Sequence, residues 1–160
     1  MQPIDITATI QINARPQTVF NYLADYANDP QWRAEIRDVQ LSTRTVREKT
    51  LITETSFLSK KVPRHVSTLQ CVVLVPGQSV TSETTAASPY WSRNTRTAEP
   101  LPGGRTRVTY RLAFDPRVVK HGLGFGLPRF IVRFYTKATM KKYLAVLKGI
   151  LEGEGVVSGK

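Results

Sequence analysis

The side chains able to move protons or form bonds are few in this chain, and they do not assemble into a known motif. There are two histidines. His65 follows Pro63 and Arg64 at the start of an alternating segment, and His121 opens a glycine-rich stretch. Imidazole is the side chain whose ordinary pKa suits a general base near neutrality, although a single histidine at a strand start is most often plain surface. Glu54 and Glu83 lie on segments with strand periodicity. A carboxylate turned inward there would have a raised pKa and could work as an acid or base, whereas most strand carboxylates face water. Tyr110 places a hydroxyl on an apolar strand face and needs a partner if buried. Tyr110, Glu54 and His65 are therefore the candidate catalytic residues, with no partner set that defines a reaction.

The single cysteine, Cys71, excludes an internal disulfide and any multi-cysteine metal site. It shares a face with Leu69 and Val73, and no neighbouring cation or base activates the thiol. Gly122–Gly126 lacks the Lys-Ser/Thr of a phosphate loop, and no Gly-x-Ser-x-Gly or metal-ligand spacing occurs. Neither a metal nor a cofactor is expected.

Apolar and aromatic side chains are better represented, and they come from different segments. Candidate ligand-binding residues are Phe57, Leu69, Cys71, Trp91 and Val108 on the strands, with Tyr110 and Leu112 beside them. Phe125, Phe130 and Phe134 complete the set from the glycine-rich stretch and the helix after it. Aromatic walls with a few polar tips are the usual lining of a small-molecule pocket. Each of these residues alone could equally be core.

The elements that must position them are legible from periodicity. Ile4, Ile6, Ala8, Ile10 and Ile12 alternate with polar residues, as in a half-buried strand. Pro16 suits a first helical turn, and Val19, Phe20 and Leu23 give that helix its apolar stripe. Asp29 and Pro30 read as N-cap and first residue of a second short helix carrying Trp32. Strands are expected near 36–44, 48–58, 64–75, 79–87, 90–98 and 105–115. Pro76-Gly77 and Pro102-Gly103-Gly104 serve as turns. Gly122, Gly124 and Gly126 make a flexible segment, a candidate lid. Arg129 to about Glu152 reads as one long helix with Met140, Tyr143, Leu144, Leu147, Ile150 and Leu151 on its apolar face.

The fold class expected is α+β: a curved antiparallel sheet of about seven strands wrapped on a long C-terminal helix, with two short helices after the first strand. The chain of 160 residues is read as a single domain over 1–152 with a flexible tail over 153–160. Its opening, Ile10-Gln11-Ile12-Asn13-Ala14-Arg15-Pro16 through Val19-Phe20 and Leu23-Ala24-Asp25 to Pro30-Gln31-Trp32, with Ile36 and Val39 behind, resembles the START-like (SRPBCC) superfamily. That superfamily includes the polyketide cyclase/dehydrase-like proteins. Leu147-Lys148 and Leu151-Glu152 are similar to its closing helix. The resemblance implies a helix-grip fold that binds or transforms apolar molecules in an internal cavity. A carrier or sensor of a hydrophobic or amphipathic molecule, such as a lipid or an aromatic polyketide-like compound, is the reading favoured here. A cyclase/dehydratase-type enzyme is the alternative.

Charge adds a second question. The chain carries 23 Lys+Arg against 12 Asp+Glu, a net +11, and no acidic residue lies between Asp115 and Glu152. Arg129, Arg133, Lys137 and Lys141 repeat every four residues, which makes an anionic membrane surface a candidate partner. No groove-reading element supports nucleic acid. Asp5 within the alternating N-terminal segment speaks against a signal peptide, and no apolar run approaches the roughly 20 residues of a membrane span. A cytoplasmic, membrane-peripheral location is expected.

Overall fold

The computed structural model describes residues 2–158, with side chains described through residue 153. Strand β1 (Ile4–Ile12) leads into helix α1 (Pro16–Ala24), a 3-10 turn (Tyr26–Asn28) and the single-turn helix α2 (Asp29–Trp32). Six strands follow: β2 (Ile36–Leu41), β3 (Leu51–Ser56), β4 (His65–Val75), β5 (Ser79–Thr84), β6 (Ser92–Leu101) and β7 (Arg105–Phe114). Helices α3 (Arg117–Leu123) and α4 (Arg129–Ser158) close the chain. The strands form one antiparallel sheet in the order β1-β7-β6-β5-β4-β3-β2, so β1 and β2 are its edges.

The alternation of β1 is realised as expected: Ile4, Ile6, Ala8 and Ile12 are buried. Opposite them β7 presents Val108, Tyr110 and Phe114 inward. Against this face lies α4, whose buried residues Val132, Met140, Tyr143, Leu144, Leu147 and Leu151 recur at helical spacing. Two departures from the sequence reading lie in the last third of the chain. The glycine-rich stretch opens as α3, which Gly124 ends with φ +85 while its N–H donates to Lys120 O. That left-handed conformation is one a glycine adopts without strain. Helix α4 continues past Glu152 to Ser158; residues 159–160 of the expected tail lie outside the described residues.

Arg129 and Arg133 of the basic row, and Lys148 beyond it, have a structural role. Arg129 donates to the carbonyls of Gln2 and Pro3 at 2.9 and 3.0 Å. Arg133 donates to Asp5 O at 3.1 Å and Lys148 to Gln11 O at 2.8 Å. Near the far end, the N–H of Asn13 donates to Glu152. These carbonyls lie along the free edge of β1, where unpaired backbone groups invite association with another strand. Cations from α4 occupy them instead.

Candidate functional site

Between α4 and the concave face of the sheet lies a cavity of about 300 Å³. Its apolar wall comes from Ile36, Leu58, Trp91, Leu112, Phe114, Val118 and Met140, with Tyr90, Tyr135 and Tyr143 adding ring faces. Its polar end is built by Arg33, Glu35 and Glu54, and its rim includes His65 and Ser67. The curved sheet keeps strand and helix apart here, which leaves the space.

The polar end belongs to a buried ion cluster. Asp29, fully enclosed, accepts from Arg96 Nη1 and Nη2 at 2.8 and 2.5 Å and from Arg33 Nη1 at 3.0 Å. Asp29 is thus not the N-cap that its sequence position suggested. It is the first residue of α2, and its carboxylate turns inward because two guanidinium groups await it there. Arg96, also fully enclosed, donates to Leu23 O at 2.8 Å and lies 4.0 Å from the centre of the Tyr26 ring and 5.0 Å from that of Trp32. Burial works against the Arg96 charge, but Asp29 outweighs it and the pKa lies above its ordinary value. Burial pushes the Tyr26 hydroxyl up to about 12.

Arg33 carries the cluster to the cavity. Its guanidinium lies 3.3 Å from Glu54 and 3.5 Å from Glu35. Burial raises the Glu54 pKa, opposed by Arg33 and helped by Asp29 and Glu35. Tyr143, on the α4 side, is held above the ordinary phenol range by burial and by Glu35. At the rim, the rings of His65, Tyr90 and His121 lie 5.2 to 6.2 Å apart, and His65 Nε2 is 3.2 Å from Ser67 Oγ. Burial, followed by the neighbouring His121, lowers the His65 pKa.

Of the residues singled out in the sequence, Glu54, His65, Trp91 and Leu112 line the cavity. Tyr110 lies behind its wall, edge-to-face with Trp32 at 5.6 Å, and its buried hydroxyl has no hydrogen-bond partner among the described residues. Leu69, Cys71 and Val108 are packed in the continuous core rather than on the lining. Burial raises the Cys71 thiol's pKa, as expected of a cysteine in apolar surroundings. Phe57 stands beside the cavity lining, half-buried, with Arg37 5.3 Å from its ring centre. Phe125, Phe130 and Phe134 are exposed, at 56, 73 and 70%; the loop after α3 and the outer face of α4 turn them to water.

Asp29, Arg33, Glu35 and Arg96 were missed in the sequence as site residues. The Asp29/Arg33 spacing of four was a usable signal, because it places both side chains on one helical face.

A single curved antiparallel sheet gripping one long helix, with a cavity between them, defines a helix-grip protein of the α+β class. Residues 3–152 match the family model described as "Polyketide cyclase / dehydrase and lipid transport", and the chain belongs to that family. Among solved structures it is similar to a START superfamily protein from Mycobacterium smegmatis, with a TM-score of 0.72 and 14% identity over 93% of this chain and 97% of that one. It is also similar to the Zhui aromatase/cyclase from Streptomyces sp. R1128, with a TM-score of 0.70 and 15% identity over 99% and 96%. The KanY protein gives a TM-score of 0.69 and 17% identity over 95% and 99%. At these identities the likeness is one of fold. The comparison with curated proteins found no sequence match.

Proposed function

We propose that this protein binds a hydrophobic or amphipathic small molecule, of lipid or aromatic polyketide-like kind, in the cavity between sheet and α4, as a carrier or sensor. The observation that carries this reading is the cavity itself: about 300 Å³, lined largely by aromatic and aliphatic side chains, with the charged groups Arg33, Glu35 and Glu54 together at one end. That is the layout of a pocket that holds an apolar body and orients one polar group. The family description, which names lipid transport, agrees with it. A thermal-shift screen of fatty acids, alkyl amines and alcohols, and polycyclic aromatics tests it. A ligand at 100 times its Kd stabilises by about 2.7 kcal/mol, a rise in Tm of roughly 5–11 °C for a chain of this size. No shift from any of these classes overturns the reading.

A second reading, an enzyme of the cyclase/dehydratase kind, is favoured by one group. Glu54 faces the cavity with its pKa raised by burial, the condition in which a carboxyl can act as a proton donor. The similar aromatase/cyclase structure is consistent with it. Under this reading Glu54→Gln abolishes turnover of a bound polyketide-like substrate while leaving its affinity within about 3-fold. Retained turnover removes the reading.

Access to the cavity bears on the partner. Phe125, Phe130 and Phe134, with Tyr135 at the cavity margin, are exposed on a strongly basic part of the surface. This supports docking on an anionic membrane, from which an apolar ligand would enter. Among the described residues no helix is long and apolar enough to cross a membrane.

A further inference from the structure

We infer that the cavity selects amphipathic molecules whose polar end is a protonated amine over those ending in a carboxylate. This rests on the ligand-binding reading above and names the chemistry of its polar end. Five charged side chains form the cluster: the carboxylates of Asp29, Glu35 and Glu54 and the guanidinium groups of Arg33 and Arg96. Arg96 is completely enclosed, bonded to Asp29 and the Leu23 carbonyl, and off the cavity lining, so a ligand does not reach it.

Arg33 is the cluster's one cation on the cavity wall, and it already lies within 3.0 to 3.5 Å of all three carboxylates. A ligand carboxylate arriving here would be a fourth anion beside the same guanidinium. Beside the largely buried Arg33 and Glu54 that repulsion is screened less than at an exposed surface. An ammonium meets the opposite situation. With three carboxylates against two guanidinium groups, the cluster has one negative charge to share when all are ionised. The two carboxylates that line the cavity, Glu35 and Glu54, are acceptors for N–H donors. Tyr143 at the same end, and Tyr90 and Trp91 in the wall, provide ring faces that attract a cation. The inference runs against the chain's net +11; overall charge draws anions to the surface, while the cavity floor selects for cations.

The test compares probes with one tail and three head groups. Dodecylamine, dodecanol and dodecanoic acid, each below its micelle-forming concentration at pH 7.5, are titrated calorimetrically into the full chain. The expected result is binding of the amine about 10-fold or more tighter than the acid, with the alcohol between them. In Glu35→Gln, and in the Glu35→Gln/Glu54→Gln pair if it folds, the amine-over-acid ratio falls towards about 3-fold or less. Dodecanol, which carries no charge, loses less affinity than the amine, by about 3-fold or less. An acid that binds as tightly as the amine, or a preference that survives in Glu35→Gln and in the pair, overturns the inference and leaves the ligand-binding reading standing. Failure of all three probes to bind overturns both.

Discussion

Replacing Arg96 by methionine probes the buried cluster at its most enclosed point. Methionine keeps most of the side chain's length and removes the guanidinium. Lost are two charge-assisted hydrogen bonds to Asp29 at 2.8 and 2.5 Å, one to Leu23 O at 2.8 Å, and the stacking over Tyr26 at 4.0 Å. Asp29 is then left in the interior with Arg33 alone. Breaking a buried pair on one side costs about 3–5 kcal/mol, mostly because the remaining charge is uncompensated. For a chain of this length each kcal/mol lowers Tm by about 2–4 °C, so the fall expected is roughly 6–20 °C. Urea denaturation followed by tryptophan fluorescence checks the free energy directly, since Trp32 lies 5.0 Å from the guanidinium. The double variant Asp29→Asn/Arg96→Met should be more stable than the sum of the two single losses allows, by about 1–3 kcal/mol. A loss below about 1 kcal/mol in Arg96→Met, or strict additivity in the double variant, would refute the claim that these groups act as one unit.

Three further outcomes follow from the same geometry. The Glu54 carboxyl has a folded-state pKa raised above its ordinary 4.5 by burial, so ionising it costs the folded state. Its stabilising contribution is full below pH 4.5 and is lost as pH rises through the folded value. Glu54→Gln should therefore gain stability relative to wild type between pH 4 and pH 7; a flat difference denies the burial. For His65 the shift is downward from 6.5, from burial and then His121. The stability that depends on its neutral form is present above pH 6.5 and is lost as pH falls towards its folded pKa. His65→Gln should flatten that acid limb of the Tm profile, and an unchanged limb contradicts the assignment. Phe130→Ser/Phe134→Ser should reduce flotation with phosphatidylserine-containing vesicles several-fold while leaving Tm within about 2 °C, because both rings are exposed. Equal flotation of the two proteins removes these residues from any membrane contact.

The fold was legible because its signals are local. The alternation from Ile4 to Ile12, Pro16 at a helix start and the apolar spacing from Met140 to Leu151 each need only neighbouring residues. The cluster was largely hidden because its bonds are not local: Arg96 and Asp29 are 67 residues apart. Arg96 shares the inward face of β6 with Asn94 and Ala98, a set with no hydrophobic period to mark it. Asp29 was visible but read as a cap, since Asp before Pro is the usual signature of a helix start. The strand residues Leu69, Cys71 and Val108 have the same inward orientation as Leu112. What separates core from cavity wall is how closely α4 approaches each point of the sheet, and that distance has no signature in a single strand. The basic row on α4 was equally clear as a pattern, but its carbonyl partners belong to a sheet edge that exists only after folding. It is consequently occupied at Arg129 and Arg133 by the protein's own backbone.

The cavity's role as a ligand site is tested most directly by filling it. Ser67, on β4, lines the cavity at its rim, and Ser67→Trp brings an indole into its mouth. Calorimetric titration of dodecanol into wild type and variant gives the answer, with Tm in the absence of ligand as the control. Saturable one-to-one binding by wild type, weakened about 10-fold or more in Ser67→Trp with Tm within a few degrees, is the expected result. Equal binding by both proteins would contradict the account, because the apolar ligand would then be held somewhere else.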